Sequence, residues 1–223
     1  GDFHIKARYL FKNTGKGLGN RIFFESGLII PSNNTLVADP YFLNYSPSED
    51  EEDHRHFSVS DGVYKGIFGF EYSMKRISYP VFWSIFSNIQ YPLKENKYKF
   101  LSPINYSLSF IALSGPFNYR EKKQFKLVSV GLGLSINHSS YSKWHGISSP
   151  NSKSTAITPS LSFVVASKDY GAFGLNLNMS HVDSFNAGDA GLGSNFKQKA
   201  SVIGFSLSYR KTLDKVIKKL YWK

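Results

Sequence analysis

The chain has no cysteine, so neither a disulfide framework nor a thiolate metal site is available to it. It also lacks any long apolar block. Hydrophobic residues make up 41% of its 223 residues, yet no run approaches the roughly 18 residues that a spanning helix needs. The mean hydropathy of -0.27 agrees, because the apolar side chains are diluted among polar ones. Charge is sparse at 19%, low for a chain whose whole surface must meet water. Tryptophan is scarce too, with 3 Trp against 14 Tyr and 19 Phe. No basic-then-apolar leader is visible, and the chain opens at Gly1, the start expected of a processed secreted protein.

What is present is alternation. In FKLVSVGLGLSINH, Phe125 to His138, the residues Val128, Val130, Leu132, Leu134 and Ile136 share one face. Ser129, Gly131, Gly133, Ser135 and Asn137 share the other. A period of two over this length predicts a strand. The pattern recurs in NYSLSFIALSG from Asn105, GAFGLNLNMSH from Gly171 and SVIGFSLSYRK from Ser201. GVYKGIFGFEYSM from Gly62 and FHIKARYLF from Phe3 repeat it upstream. Strands are predicted over 3–11, 21–30, 62–74, 79–90, 104–114, 125–137, 157–166, 171–180 and 201–210. A further one could be hidden in TLVADPYFLNY, where Pro40 weakens it.

A sandwich or lipocalin-like fold also alternates. Here the face opposite the apolar one is mostly Gly, Ser and Asn, which suits a wet or tightly filled lumen with the apolar face outward. Long polar connections alternate with tight turns such as REKKQ (Arg120 to Gln124) and MKRIS (Met74 to Ser78). The reading that follows is all-β: a closed antiparallel transmembrane β-barrel of about 8 to 10 strands, with long outer loops and a short basic C-terminal extension. Bacterial barrels have even strand numbers, so eight or ten is expected.

The end of the chain carries a resemblance. GFSLSY, Gly204 to Tyr209, resembles the terminal-strand signal of bacterial outer-membrane β-barrel proteins, a glycine followed by hydrophobic residues three and five positions later. Those proteins usually finish on the aromatic residue, whereas this chain continues to Lys223. The resemblance implies a barrel over 1–210 in the bacterial cell outer membrane. Residues 211–223 form a separate tail in which Leu213, Val216, Ile217 and Leu220 fall at helical spacing. Lys215, Lys218 and Lys219, with Tyr221 and Trp222, would then lie at a membrane interface. The bland alternative is a solubilising tail or more of the last strand.

Candidate chemistry is limited. His138 and Ser140 form an H-x-S similar to the His-x-Ser of the outer-membrane lipid A deacylase family. That similarity implies His138 as base and Ser140 as nucleophile, with Tyr141 where the family has asparagine. Charges expected on the lumen face are His4, Lys6, Arg8, Lys65, Glu71 and Arg210, as a structural network or a selective lining. The acidic run from Ser48 to His56, with His54 and His56, lacks the spacing of a calcium loop, so no metal site is assigned. No cofactor is expected.

The net charge of +11 is concentrated from Lys197 onward. It comes without a stacking platform or recognition helix, so no nucleic-acid partner is expected. Expected partners are outer-membrane lipid or lipopolysaccharide, and a protein or polysaccharide at the outer loops; oligomeric state is left open. The leading functional expectation is a structural or surface-interaction barrel. The alternatives are a narrow porin-like pore for small solutes and a lipid-active enzyme using the His/Ser pair.

Overall fold

In the computed structural model, residues 1–15, 17–37, 58–78, 80–115, 126–149, 152–167, 170–183 and 198–211 are described. Among these residues twelve strands form two antiparallel sheets. The large sheet contains β1 (Phe3–Asn13), β2 (Gly19–Ile30), β3 (Lys65–Lys75), β4 (Phe82–Pro92), β6 (Asn105–Ser114), β7 (Lys126–Ser139), β10 (Ser154–Ser167), β11 (Gly171–Asp183) and β12 (Lys199–Arg210). These nine strands lie side by side in chain order, each antiparallel to the next. The small sheet comprises β5 (Phe100–Leu101), β8 (Lys143–Trp144) and β9 (Ile147–Ser148), which come from two of the connections.

All nine predicted strands exist, each displaced by a few residues at most. Alternation drives them, and glycine closes the tight turn between β1 and β2. There Gly17 and Gly19 have φ of 106° and 113°, a region that side chains with a Cβ rarely enter. Connections alternate between the two rims. One rim holds the long ones, 31–64, 93–104, 140–153 and 184–198, and the other the short ones, including 14–18, 76–81 and 168–170. The postulated extra strand in TLVADPYFLNY reduces, in its described part, to a single bridge between Thr35 and Ser60.

Closure is where the expectation fails. The sheet begins at β1 and ends at β12, and among the described residues neither pairs on its outer side. Every residue of β1 is exposed, as is nearly every residue of β12. The strand number supplies a physical reason. With nine alternating strands, β1 and β12 run in the same direction, so no purely antiparallel ladder can join them. The single closed barrel of eight to ten strands is therefore corrected to a nine-stranded open sheet with a separate three-stranded one.

An open edge in lipid would leave a row of backbone groups unpaired. The expected outer-membrane localisation goes with closure. So do the structural or surface-interaction barrel role, the porin-like pore and the lipid-active barrel enzyme. The GFSLSY signal of Gly204 to Tyr209 lies in β12, an unpaired edge, rather than in a seam-closing strand.

The two faces of the large sheet are buried in an unusual sense. Phe68, Phe110, Leu132, Leu134 and Phe205 on the apolar face are exposed. Small polar residues on the other face, such as Ser107, Ser109, Ser160 and Ser162, are half-buried. Among the described residues fully buried apolar side chains are few: Ile29, Val63, Ile67 and Trp144. All four come from the long-connection rim or from connections emerging there. Asp61 fastens that rim by accepting hydrogen bonds from the Ser102 hydroxyl and from Val63 N at 3.1 Å, and by an ion pair with Lys65 at 2.5 Å. Phe100 and Trp144 stack across the small sheet with ring centroids 4.9 Å apart.

Candidate functional site

The site follows from register. On the polar face, Gly69, Asn88, Ser107, Asn137 and Ala156 fall in one cross-strand row. The next row toward the long-connection rim is Ile67, Gln90, Asn105, Ser139 and Ser154. Both rows exist because alternation places every second residue of β4, β6, β7 and β10 on the same side. Between them the face is hollowed into a cleft of about 450 Å³. Asn88, Gln90, Asn105, Ser107, Asn137, Ser139 and Ser154 line it together with Tyr106, His138 and Ala156, and no Lys, Arg, Asp or Glu is among them. Among the described residues none of the seven Asn, Gln and Ser side chains has a hydrogen-bond partner. Four carboxamides and three hydroxyls thus face one space with donors and acceptors unspent.

Five of the six charges expected on this face gather at its β1–β3 side. Lys6 pairs with Glu25 at 3.1 Å. Arg8 lies 4.0 Å from the Phe23 ring centroid and reaches past β2 to Glu71, 2.5 Å away. Lys65 pairs with Asp61, and His4 stands in the same row as Ile29 and Lys65. Arg210 lies far from them, opposite Ala172 at the short-connection rim. Glu25 and Asp61, the partners of Lys6 and Lys65, escaped the sequence reading. Register alone brings Glu25 to Lys6, whereas Asp61 stands four residues before Lys65 in the chain.

The Lys6 and Arg8 pairs are about half exposed on the cation side, so the Arg8 bridge is worth the modest ~0.2–1 kcal/mol of a surface pair. Arg8→Ala is expected to raise amide exchange in β1 by less than about tenfold, leaving β6 to β11 unchanged in hydrogen-exchange mass spectrometry.

His138 and Ser140 hydrogen-bond to different partners. His138 Nδ1 shares a hydrogen bond of 2.8 Å with Thr155 Oγ1, and its ring lies 6.2 Å from that of Tyr106. Ser140 Oγ accepts from Ile104 N at 2.9 Å. The two even border different cavities: His138 the polar cleft, Ser140 another of about 510 Å³ with Tyr141 and Lys143. A second histidine–serine contact, His181 Nδ1 to Ser201 Oγ at 2.9 Å, joins facing residues of β11 and β12. Among the described residues neither imidazole has a carboxylate hydrogen-bonded to it.

A third cavity, of about 550 Å³, is lined by Lys94, Lys97 and Lys99 against Glu95, with Tyr64 and Tyr98. Its charges are partly engaged, Lys99 with Glu95 at 2.7 Å and Lys97 over the Tyr98 ring at 4.7 Å.

Among the described residues no three His, Asp or Glu converge as metal ligands. His54, His56 and their acidic neighbours lie outside the described residues, as do Lys215, Lys218, Lys219, Tyr221 and Trp222. Compared with protein-family models, curated proteins and solved structures, the chain matches none.

Proposed function

We propose that this chain is a binding protein whose polar sheet face takes a neutral, hydroxyl-rich ligand, a saccharide unit. The observation that carries the reading is the uncharged cleft between β4 and β10, with its unspent amide and hydroxyl groups. A sugar ring presents hydroxyls that donate and accept at once, which carboxamides match and fixed charges do not. The floor is regular sheet, so the groups are held by paired backbone rather than by loops, and preorganisation of this kind favours affinity. This keeps the expected polysaccharide partner and moves it from the loops to the sheet.

The test is calorimetric titration with a panel of neutral and acidic oligosaccharides. Binding by a neutral member is expected, weakened by Asn137→Leu about 2- to 10-fold, the value of one or two net hydrogen bonds. Affinity that is unchanged in Asn137→Leu, or a panel that gives no heat at all, would sink the proposal.

A further inference from the structure

The two open edges of the large sheet are not alike. β1 is defended. Lys6 and Arg8 project from it and are tied down to Glu25 and Glu71, and its pairing with β2 shifts register between Leu10 and Lys12. Charges and bulges are the ordinary devices that keep an edge strand from recruiting another. β12 has neither. From Ala200 to Tyr209 it carries no charge and no proline, and its register with β11 runs unbroken. Ile203, Phe205 and Leu207 are 77%, 75% and 76% exposed, whereas Phe173, Leu177 and Met179 on the adjoining β11 are 43%, 39% and 40% exposed. Among the described residues β11 has a strand on both sides and β12 on one.

Strand direction selects the occupant. Because β1 and β12 run the same way, a copy added with its β1 beside β12 would pair in parallel, and the contact would repeat without closing. A copy added with its own β12 beside β12 pairs antiparallel through a two-fold axis normal to the sheet. That arrangement is both the better ladder and a closed one.

One register matches the central positions, with Arg210 falling opposite Val202 at the ends. With Ser206 on the axis, Phe205 faces Leu207 of the second copy and Ile203 faces Tyr209, while Gly204 faces Ser208. No like charges then oppose each other within β12. We propose that a second copy of this chain docks strand to strand on β12, antiparallel, about a two-fold axis at Ser206. The saccharide reading plays no part in this argument.

The absence of cysteine makes the test clean. Ser206→Cys in the full chain is expected to give a disulfide-linked dimer under mild oxidation, since facing residues fall within the ~7 Å Cα separation that a disulfide tolerates. Ser208→Cys is expected to stay monomeric on a non-reducing gel, because its counterpart lies four residues away along the strand, about 13 Å. Ser206→Lys, which sets two cations on the axis, is expected to halve the mass seen by light scattering with an unchanged circular dichroism spectrum. Equal cross-linking of the two cysteine variants would mean random collision and overturn the proposal. A wild-type chain that is monomeric, with no Ser206→Cys dimer, would overturn it as well.

Discussion

Ile67→Ala is expected to lower the stability of the whole sheet by about 2–5 kcal/mol, the cost of emptying a closed apolar site. Ile67 is completely buried, one of very few side chains that are. The usual redundancy of a large core is therefore missing. Against a typical total of roughly 5–15 kcal/mol, the loss should bring the denaturant midpoint down sharply with little change in slope. Ile67 also shares its cross-strand row with Gln90 and Asn105, so the cleft should lose definition before the sheet melts. Urea unfolding followed by tryptophan fluorescence reads the first effect. A midpoint within error of wild type would show that the rim cluster contributes little.

Asp61→Ala should rival it, by a different route. The carboxylate holds Lys65, whose side chain is only 12% exposed, and takes the Ser102 hydroxyl from the connection that carries β5. Removing it strands a mostly buried ammonium, which costs about 3–5 kcal/mol where burial is complete. Asp61 itself is 26% exposed, so about 2–3 kcal/mol is expected here. The cost comes mainly from the orphaned cation, so Asp61→Ala combined with Lys65→Met should recover a large part of it. A double-mutant cycle measures this. A double variant as unstable as the sum of the two singles would mean that the pair does not act as a unit.

Much of the fold was legible because alternation is a local property. The segments Val130–His138 and Gly171–His181 announced both their strand character and which residues share a face, and the structure places them so. Closure is not local. Nothing in the period of a strand says how its outer edge is satisfied, and a lumen face and the half-buried face of an open sheet have the same composition.

The count of nine strands was informative in itself, since an odd antiparallel meander cannot seal with an antiparallel pair. Rounding it to eight or ten discarded that information. The cleft was legible by residue type but not by place. Asn88 and Asn137 lie 49 positions apart in sequence, and only the register through β6 sets them in one row. The two-residue strands β5, β8 and β9 are too short to show any period.

The inverted burial of the large sheet changes which substitutions the molecule can absorb. On the polar face the glycines are interlocked with their neighbours. A methyl on Gly27 would drive into the Ile5 backbone carbonyl, which cannot turn aside, while one on Gly131 or Gly133 would displace the Ser162 or Ser160 hydroxyl. The greasy side chains opposite stand in open space. Sequence drift should therefore run contrary to habit. Phenylalanines and leucines can be exchanged freely for one another, while the small residues stay fixed, because in this sheet size is constrained on the hydrophilic side.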